Sequence, residues 1–516
     1  MADTEKLTFD ELITHWAQEK PDQIALEQDG AALTFAELED RSRRIVAMLA
    51  AHGVGKGDRI AWLGKNARHY FELFYSAARI GVVMVPIGWR LAAPEIAYIL
   101  GDTGAKLVFI DEGFGELAAK ACGELATPPE IIDTPTAKRE IAAAPADAFD
   151  GAGPDDPVLQ LYTSGTTGNP KGAVLTNANL FSLRQPAEAA AQPWSSWDED
   201  EAILICMPCA HIGGTGLGIM AIAAGIRGIV QSEFTPDGVL DGFEQGITRL
   251  FIVPAALQMV VQHPRAKDTD MSAVKYVMYG AAPIPLDLLR EAVQTIPGAG
   301  FLQCYGMTET TGTIAMLPPE DHALDGNQRM RSAGKAVPGA ELKVVGEDGA
   351  ELPRGEVGEL ICKSPSNMQG YWNLPDATRG ALKDGWMHTG DAAYMDEDGY
   401  VYIQDRIKDM IISGGENVYP AQVESAIYGH PAVGEVAVIG VPDDTWGEAV
   451  KACVVAKPGS EVDAEDIITF TRERLAGFKV PKTVDVIPEL PRNASGKILR
   501  RELRAPYWEG RDRQVN

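Results

Sequence analysis

The residues from Leu161 to Val174 read LYTSGTTGNPKGAV, and they predict the architecture around them. The strand-like run VLQLY leads into this segment, and NANLFSLRQ, which follows it, is typical of a helix start. A glycine-rich loop between a strand and a helix indicates an α/β domain with a ligand at the loop. Its glycines let backbone N–H groups converge on an anion, and Lys171 adds a positive charge. The segment therefore predicts a phosphate-binding loop.

The spacing of this loop differs from that of the nucleotide-binding P-loop. In the pattern G-x-x-x-x-G-K-[ST] counted from Gly165, position 170 would be glycine, whereas the chain has Pro170. A flexible polar turn is the alternative, but three glycines, four hydroxyls and a lysine are more than a connection needs. We therefore expect a phosphate cradle of another kind.

Short apolar runs alternate with helix-like segments on both sides of the loop. RIAWLG (59–64), GVVMVPI (81–87) and AKLVFI (105–110) are strand-like, and residues 8–11 and 34–37 have the T-x-x-E spacing of a helix capping box. Strands that alternate with helices form parallel sheets covered by helices. The fold class is therefore predicted as α/β, with a large N-terminal domain of parallel α/β sheets.

Changes in composition predict how the chain is divided. Residues 134–157 are rich in Ala, Pro, Gly and Asp without periodicity and are interpreted as a surface linker. Gly and Pro punctuate short alternating runs from about 335 to 405, which indicates a small antiparallel, β-barrel-like region. A small α+β pattern follows. We predict an N-terminal domain over residues 1–405 and a C-terminal domain over residues 406–516.

The acidic balance of the chain excludes some partners. It has 46 Lys and Arg against 73 Asp and Glu, a net charge of −27, which argues against nucleic acid or an anionic membrane as a partner. We find no signal-peptide pattern and no apolar stretch long enough to span a membrane. The six cysteines lie mostly in apolar surroundings and are predicted to be free thiols in a reducing compartment, so we expect a cytoplasmic protein.

Two segments after the loop allow other interpretations. Cys206 and Cys209, followed by His211, have the C-x-x-C spacing of metal and redox sites, but no second pair lies nearby. GGTGLG (213–218) follows a strand, yet its glycines lie outside the G-x-G-x-x-G register of dinucleotide sites. We interpret it as a helix start made slim by small residues, which leaves room for a bulky group.

Three further loops carry candidate binding groups. MYGAAP (278–283) and QCYGMTETT (303–311) each end a strand with glycine, and such loops line the ligand crevice of parallel sheets. Tyr305 offers a flat face for a base, and Glu309 offers an oxygen ligand for Mg²⁺. HTGD (388–391) presents a carboxylate suited to two vicinal hydroxyls.

The motifs YTSGTTGNPKG, YGAAP, QCYGMTE, GWMHTGD, DRIKDMIISGGENVYPAQVE and PRNASGK occur here in one order. In that order they resemble the acyl-adenylate-forming superfamily, which contains acyl-CoA synthetases, adenylation domains of peptide synthetases and luciferases. The resemblance spans roughly residues 8 to 505, and ISGGENVYP is most similar to fatty-acyl-CoA and aryl-CoA ligases. It implies an AMP-forming acid–thiol ligase that uses ATP, Mg²⁺ and coenzyme A.

The resemblance also implies roles for individual positions. The residues implied for the β- and γ-phosphates of ATP are Ser164, Gly165, Thr166, Thr167, Gly168 and Lys171. Those implied for the rest of the nucleotide are Gly280, Ala281, Ala282, Gln303, Tyr305, Gly306, Thr308, Asp391, Arg406 and Lys497. Thr163 and Glu309 would share Mg²⁺.

The resemblance further implies a mobile C-terminal domain that turns about a hinge at Lys408 between two half-reactions. Lys497 would reach the carboxylate and the α-phosphate during adenylation, and Thr308, Glu309 and His211 complete the implied catalytic set. The implied coenzyme A loop consists of Ser413, Gly414, Gly415 and Glu416.

The acid itself is less specified by the sequence. The candidate acyl-pocket residues are His211, Ile212, Gly213, Gly214, Ala255, Gly306, Met307, Thr310 and Gly312. Amino-acid-activating relatives usually have Asp near the position of His211, so we expect a hydrophobic monocarboxylate, either a medium- or long-chain fatty acid or an aromatic acid. Transfer to a carrier-protein thiol and a non-catalytic relative stay open as alternatives. A homodimer also stays open, since dimers are common in the superfamily.

Overall fold

The computed structural model describes residues 6–163, 169–323, 328–492 and 498–509. The chain divides into two compact units. The first comprises the residues up to Ala281 together with Arg290–Leu342 and Cys362–Met387. The second comprises Ala282–Leu289, Lys343–Ile361 and the chain from His388 onward. The boundary between residues 405 and 406 stays a prediction.

The α-helices of the described residues are α1 (Phe9–Glu19), α2 (Phe35–Ala51), α3 (Arg68–Arg79), α4 (Ala93–Thr103), α5 (Gly115–Cys122), α6 (Thr134–Ala143), α7 (Asn177–Phe181), α8 (Arg184–Ala189), α9 (Ile212–Ala224), α10 (Pro236–Glu244), α11 (Pro254–Val261), α12 (Leu286–Thr295), α13 (Pro375–Ala381), α14 (Pro420–Tyr428), α15 (Ala464–Arg472) and α16 (Arg500–Trp508). Within this part of the chain, no helix is both long enough and apolar enough to cross a membrane. The cytoplasmic location stays a prediction.

The β-strands of the described residues are β1 (Ile24–Gln28), β2 (Ala31–Thr34), β3 (Arg59–Leu63), β4 (Val83–Ile87), β5 (Leu107–Ile110), β6 (Glu130–Asp133), β7 (Pro157–Thr163), β8 (Lys171–Thr176), β9 (Ala202–Ile205), β10 (Arg227–Val230), β11 (Arg249–Ile252), β12 (Tyr276–Gly280), β13 (Gly300–Met307), β14 (Gly312–Leu317), β15 (Lys335–Ala336), β16 (Glu341–Val345), β17 (Gly358–Lys363), β18 (Gly370–Tyr371), β19 (Leu382–Lys383), β20 (Trp386–Met395), β21 (Val401–Arg406), β22 (Ile411–Ser413), β23 (Glu416–Val418), β24 (Val433–Asp443), β25 (Gly447–Ala456) and β26 (Thr483–Val486).

The first unit contains two mixed sheets with parallel centres. One has the order β15-β14-β13-β12-β11-β9-β10-β1-β2, and its strands from β13 to β1 are parallel. The other has the order β18-β8-β7-β4-β3-β5-β6, with parallel pairing from β7 to β6. Strands β3 and β4 are buried at every position, as expected for strands covered on both faces. The predicted α/β fold class is confirmed.

Helix α9 is the slim helix that GGTGLG predicts, and its glycines let α3 pack closely against it. A Cβ on Gly218 would lie 2.2 Å from the Phe71 ring, and the Tyr75 hydroxyl donates to the Gly218 carbonyl at 2.7 Å. The hydroxyls of Tyr70 and Thr215 form a further hydrogen bond of 2.8 Å. Small residues therefore allow close helix–helix approach in the first unit.

Two expectations about local structure are wrong. The segment 134–157 is not wholly a linker, since α6 occupies its first ten residues. The Asp133 side chain caps this helix by accepting from the Thr136 N–H, and Pro135 suits its first turn.

The phosphate loop joins two antiparallel strands rather than a strand and a helix, because the apolar residues of KGAVLT form β8. Helix α7 begins only after this strand.

The antiparallel region that was predicted near 335–405 forms β16, β17, β19, β20 and β21. They pair in the order β16-β17-β20-β19, with β21 on β20. The second unit holds a further sheet, in the order β23-β22-β25-β24, with β26 parallel to β25. Its core includes residues of β24, β25, α14 and α15. The pattern predicted after residue 406 is therefore α+β, as expected.

Candidate active site

Four parallel strands of the larger sheet end at one edge and place the predicted site residues there. The carboxyl ends of β9, β11, β12 and β13 are followed by the segments that start at Cys206, Val253, Ala281 and Thr308. Because the strands are parallel neighbours, these segments meet at the same edge. The sheet therefore brings together segments that are separated by as many as a hundred residues in sequence.

Close approach of main chains fixes two of the predicted nucleotide residues as glycine. A Cβ on Gly280 would lie 2.0 Å from the Cys304 carbonyl oxygen, and one on Gly306 would lie 1.8 Å from the Gly312 carbonyl oxygen. Ala281 follows with a φ of 65°, a left-handed conformation that L-residues rarely adopt. Strain of this kind is often found at ligand sites.

Gln303 and Tyr305 lie on β13, the strand that carries the predicted adenine residues. The Tyr279 hydroxyl approaches the Gln303 Oε1 at 3.4 Å and also hydrogen-bonds the His322 ring at 2.9 Å. Burial lowers the pKa of His322 to about 4, so its ring is neutral at neutral pH. Tyr305 pairs with Ala315 across β13 and β14 and is half-buried. Ala282 falls in the second unit.

A short helical turn after β13 presents Thr308, Glu309 and Thr310. The Thr310 hydroxyl lies within hydrogen-bond distance of two carbonyl oxygens of its own loop, those of Met307 at 3.0 Å and of Gly312 at 2.8 Å. Thr310 is fully buried, so its hydroxyl serves the loop, whereas Thr308 is half-buried. Glu309 is only 6% exposed, which is unusual for a carboxylate.

The hairpin of β7 and β8 presents the two described ends of the phosphate loop. Thr163 pairs with Lys171, and the Thr163 hydroxyl lies 3.4 Å from the Lys171 carbonyl oxygen. The predicted phosphate ligands Ser164, Gly165, Thr166, Thr167 and Gly168 lie outside the described residues. The hairpin nevertheless places Thr163 and Lys171 side by side.

Tyr371, which the sequence analysis did not single out, connects this hairpin to Glu309. Its hydroxyl donates to Glu309 Oε1 at 2.8 Å, and the Lys171 Nζ lies 5.0 Å from the centroid of its ring. Tyr371 belongs to β18, which pairs with β8 opposite Ala173. The residues predicted for phosphate and metal are thereby joined in one continuous set of contacts.

Glu309 and Thr163 fit a divalent cation that a nucleotide carries. In residues 6–163, 169–323, 328–492 and 498–509, no group of three or more His, Cys, Asp or Glu side chains converges on a metal position. Mg²⁺ at nucleotide sites usually takes one or two protein oxygens and completes its shell with phosphates and water. A single buried carboxylate with one oxygen fixed by a phenol suits that kind of site. The hydroxyl oxygen of Thr163, at the end of β7, is a second suitable ligand.

Several predicted acyl-pocket residues cluster at the start of α9. A Cβ on Gly312 would lie 3.7 Å from Ile212 Cγ1, and one on Gly213 would lie 2.9 Å from the Phe251 ring. Gly214 lies so close to the carbonyl of Pro208 that a Cβ would come within 2.2 Å of its oxygen. Phe251, on β11, is therefore a pocket candidate that the sequence analysis missed.

His211 immediately precedes α9, and its environment holds it neutral. Burial lowers the pKa of His211 to about 4, well below the usual value for imidazole. At neutral pH it therefore brings no positive charge to the start of α9.

Two further predicted acyl-pocket residues lie elsewhere in the first unit. Met307 is half-buried at the end of β13, and Ala255 is exposed in the first turn of α11.

The second unit joins the two residues predicted for the ribose. Asp391 and Arg406 face each other across β20 and β21, and Arg406 Nε lies 2.8 Å from Asp391 Oδ1. Arg406 also donates to the Thr389 carbonyl at 2.8 Å. Because Asp391 is almost fully buried, this ion pair fixes the turn that starts at His388. The His388 ring in turn hydrogen-bonds Glu359 at 2.7 Å.

The predicted coenzyme A loop is a tight turn between β22 and β23. Gly414 and Gly415 both have positive φ, of 63° and 85°, which favours glycine at each position. The Gly414 N–H donates to the Trp446 carbonyl at 2.8 Å, and a Cβ on Gly414 would lie 2.7 Å from the Trp446 ring. Ser413 is buried and Glu416 is exposed. Trp446 is 46% exposed, and the Lys482 Nζ lies 5.4 Å from its ring.

The predicted hinge residue Lys408 lies in a short helical turn after β21, and its sequence neighbours Asp405 and Asp409 belong to a charge cluster. We define this cluster as Asp405, Asp409, Glu424, Arg500 and Arg504. It connects the segment around Lys408 to α16. The predicted catalytic residue Lys497 lies outside the described residues.

The six cysteines are buried free thiols. Burial raises the pKa of Cys206 and of Cys209 to about 12, so neither offers a thiolate at neutral pH.

Two family descriptions match the chain. The AMP-binding enzyme family matches residues 13–372, and the AMP-binding enzyme C-terminal domain matches residues 422–497. Together these matches span most of the sequence.

Several proteins are similar to this chain over nearly their whole length. ScoC, a fatty acid–[acyl-carrier-protein] ligase of Streptomyces coeruleorubidus, is 42% identical over 507 residues, covering 97% of this chain and 96% of that protein. A feruloyl-CoA synthase of Amycolatopsis is 39% identical, covering 95% and 97%. The long-chain-fatty-acid–CoA ligase FadD13 of Mycobacterium tuberculosis is 38% identical, covering 92% and 93%.

A solved structure supports the same relationship. O-succinylbenzoate coenzyme A synthetase (MenE) from Bacillus subtilis, in complex with ATP and magnesium ion, superposes with a TM-score of 0.85 at 32% identity. The match covers 95% of this chain and 98% of that one. The chain thus belongs to the AMP-binding enzyme family, the acyl-adenylate-forming superfamily that its motifs indicate.

Proposed function

We propose that this protein is an AMP-forming acyl-CoA synthetase for hydrophobic monocarboxylic acids. It is an acid–thiol ligase that uses ATP, Mg²⁺ and coenzyme A, converts the acid to an acyl-adenylate with release of pyrophosphate, and passes the acyl group to the thiol. The observation that carries this proposal is the contact set of Lys171, Tyr371 and Glu309 beside Thr163. In this set, the ammonium group of Lys171 can bind phosphates and the carboxylate of Glu309 can bind a metal ion close by.

Adenylation brings a carboxylate to a polyanion, so negative charge must be neutralised. Lys171 and the loop before it bind the outer phosphates, and Glu309 and Thr163 hold the divalent cation. Mg²⁺, when bound, neutralises phosphate charge and polarises phosphoryl oxygens. Thr308 donates near the α-phosphate, and Lys497 stabilises the charge that develops between the carboxylate and that phosphate. Gly280, Ala281 and Tyr305 bind the adenine, while Asp391 and Arg406 fix the ribose.

Thioester formation uses a different set of groups. The proposed motion about Lys408 withdraws Lys497 after adenylation and presents the loop from Ser413 to Glu416 to the thiol. The exposed Trp446 packs on Gly414 of this loop, with Lys482 near its ring. An exposed aromatic ring beside a lysine suits a nucleotide thiol with its base and phosphates.

The acyl group is proposed to be uncharged. The start of α9 is apolar, with the Phe251 ring beside Gly213 and Ile212 beside Gly312, and burial holds His211 neutral. A second carboxylate would find no counter-ion in this set. Each methylene that becomes buried contributes only about 0.8 kcal/mol, so we expect tolerance over several chain lengths. The candidates are medium- and long-chain fatty acids and aromatic acids.

Transfer to a carrier-protein thiol is the second candidate. Its support is the 42% identity to ScoC, whose name specifies an acyl-carrier protein as the acceptor. Both candidates share adenylation and differ only in the acceptor thiol. The name feruloyl-CoA synthase, carried by a relative of 39% identity, favours coenzyme A and an aromatic acid instead.

The test incubates the purified protein with Mg-ATP and a panel of acids: C4 to C18 fatty acids, benzoates, cinnamates and arylalkanoates. Equal concentrations of coenzyme A and of a phosphopantetheinylated carrier protein compete as acceptors. Mass spectrometry detects AMP, acyl-CoA and acyl-carrier protein. AMP together with acyl-CoA supports the first candidate, and AMP together with acyl-carrier protein supports the second. Formation of no AMP with any acid would contradict both.

Two lysine variants, one a test and one a control, accompany this experiment. Lys497→Ala removes the proposed adenylation group, and we expect AMP formation to fall about 10²–10³-fold, as when one preorganised donor to developing charge is lost. Lys457→Ala changes an exposed lysine in the same part of the chain and should leave AMP formation unchanged. Equal loss in both variants would contradict the role of Lys497.

A further inference from the structure

Tyr371 occupies a position between two opposite charges. Its hydroxyl hydrogen-bonds Glu309 Oε1 at 2.8 Å, and its ring lies 5.0 Å from the Lys171 ammonium. Among the ion pairs of the described residues, none joins Lys171 to Glu309, and each of the two instead contacts Tyr371. The phenol therefore contacts both charged groups while they stay apart.

The segment that carries Tyr371 is anchored on both sides. Toward Glu309, the Met368 N–H donates to the Glu309 carbonyl at 2.8 Å, and the Thr311 hydroxyl donates to the Ser366 carbonyl at 2.6 Å. Thr311 itself has a left-handed backbone conformation, with φ of 57°. The Glu309 turn is thus fixed by its main chain as well as by its side chain.

On the other side, the segment is fixed to the strand that follows the phosphate loop. Trp372 donates from its backbone N–H to the Gly172 carbonyl at 2.8 Å, and its indole N–H donates to the Asp102 carbonyl at 3.0 Å. The Arg59 guanidinium stacks on the Trp372 ring at 3.2 Å from the centroid. These contacts leave Tyr371 little freedom to move away from Lys171 or Glu309.

The chemistry of a neutral donor explains what this arrangement achieves. A phenol hydroxyl can fix one carboxylate oxygen without cancelling the carboxylate charge, whereas a lysine at that place would neutralise it. Because the two side chains are not paired with each other, Glu309 is available to a cation and Lys171 to phosphate. A metal ligand of fixed orientation binds more tightly than a free one, and loss of such support commonly weakens metal affinity.

We propose that Tyr371 is a positioning residue of the nucleotide site: its hydroxyl orients Glu309 toward the divalent cation, and its ring keeps Lys171 from pairing with Glu309. This inference rests on the proposed function, because the nucleotide and the cation come from that reaction. It concerns ATP binding alone, so neither the acid nor the acceptor thiol enters its test.

The test measures ATP affinity by calorimetry, once with EDTA and once with saturating Mg²⁺, and without any acid. Tyr371→Phe keeps the ring and removes only the hydroxyl. We expect its metal-free Kd to stay within about twofold of the original protein and its Kd with Mg²⁺ to rise about tenfold, as for a lost hydrogen bond to a charged group. Tyr371→Leu also removes the ring, so Lys171 can pair with Glu309, and we expect both Kd values to rise.

The matched control is Tyr402→Phe, which removes another phenol that donates to a carboxylate, that of Asp396 at 3.2 Å. It should change neither Kd, and the unfolding temperature of Tyr371→Phe should match that of the control. If Tyr371→Phe binds ATP like the original protein in both conditions, or loses affinity equally in both, the inference is overturned. If the original protein itself binds no ATP, the proposed function fails instead.

Discussion

Two carboxylate sites in this molecule are built in opposite ways. In the first unit, Glu309 receives a hydrogen bond from the neutral hydroxyl of Tyr371. In the second unit, Glu424 is bound by Arg500, with an N–O distance of 2.7 Å, and Arg504 lies 3.1 Å from Asp409. Among the described residues the first carboxylate has no ion pair, whereas the carboxylates of the charge cluster are paired with arginines.

This difference in pairing distinguishes a ligand-binding carboxylate from carboxylates that stabilise the fold. Burying a charge without a partner is unfavourable, so a buried carboxylate without an ion pair is a candidate site for a cation that a ligand supplies. A carboxylate that is already paired with arginines is less available to bind a cation that a substrate brings. The charge cluster instead joins α14 and α16 to the segment around Lys408. We therefore expect changes at Glu309 to affect activity and changes at the cluster to affect stability.

The largest effect is expected from Glu309→Gln. Glutamine keeps the shape of the side chain and can still accept from Tyr371, but it lacks the charge that holds the cation. Acid-dependent exchange of pyrophosphate into ATP should fall about 10²–10³-fold. The free energy of unfolding should stay unchanged or rise, because a buried charge without an ion pair is removed.

Pyrophosphate exchange and thermal unfolding, measured on the same preparation, check this prediction. Glu320→Gln, at an exposed carboxylate of the first unit, is the control and should match the original protein in both. A variant at Glu309 that loses stability in proportion to its activity would mean that this carboxylate is structural, and the comparison would fail.

The charge cluster is tested by Arg500→Met, which leaves Glu424 and Asp405 without their arginine. Removing one partner of a buried ion pair costs about 3–5 kcal/mol, and we expect the lower end because Arg500 is 19% exposed. Amide hydrogen exchange in α14 should therefore speed up by roughly 10²-fold. Arg501→Met changes the exposed neighbour and should leave exchange unchanged. Unchanged exchange in both variants would show that the cluster contributes nothing to the second unit.

A smaller effect is expected from the pH dependence of Asp405. Burial raises the pKa of Asp405 to about 6, against the attraction of Arg500 and with the repulsion of Glu424. Its carboxylate also accepts hydrogen bonds from the N–H groups of Arg406 and Ala421, at 2.7 and 2.8 Å, which oppose this increase. Because burial outweighs these interactions, the folded state binds the carboxyl proton of Asp405 more tightly than the unfolded chain does.

The direction of the pH dependence of stability follows from this difference in proton affinity. The contribution of Asp405 to the free energy of unfolding is fully present below about pH 4 and is lost as the pH rises through about 6. Asp405→Asn cannot titrate, so the stability of the original protein relative to this variant should fall across that window. Thermal unfolding of both proteins at a series of pH values measures this. A relative stability that rises with pH would show that Arg500 outweighs burial.

Much of the fold is predictable from local patterns. The capping boxes at Thr8 and Thr34 form as the T-x-x-E spacing predicts, because both partners lie within one helical turn. GGTGLG begins a helix, and the apolar runs form parallel strands. The helix in residues 134–143 is missed because an Asp–Thr–Pro cap outweighs a composition that is typical of linkers.

The site is predictable only where its residues lie within a motif. Glu309, Lys171 and Asp391 each belong to a stretch of unusual composition, whereas Tyr371 lies 62 residues from Glu309, to which it is bonded. That contact depends on β18 pairing with β8, a pairing that no local pattern specifies. Trp446 is missed for the same reason, since it meets Gly414 only through the sheet of the second unit.

The most direct measurement of the proposed reaction uses a carboxylic acid labelled with ¹⁸O in both oxygens, together with ATP, Mg²⁺ and coenzyme A. If the acid attacks the α-phosphate, one labelled oxygen remains on AMP when the thiol displaces it. We predict AMP that carries one ¹⁸O atom and a thioester that retains the other. Unlabelled AMP, or ADP and labelled phosphate in its place, would contradict activation of the acid as an acyl-adenylate.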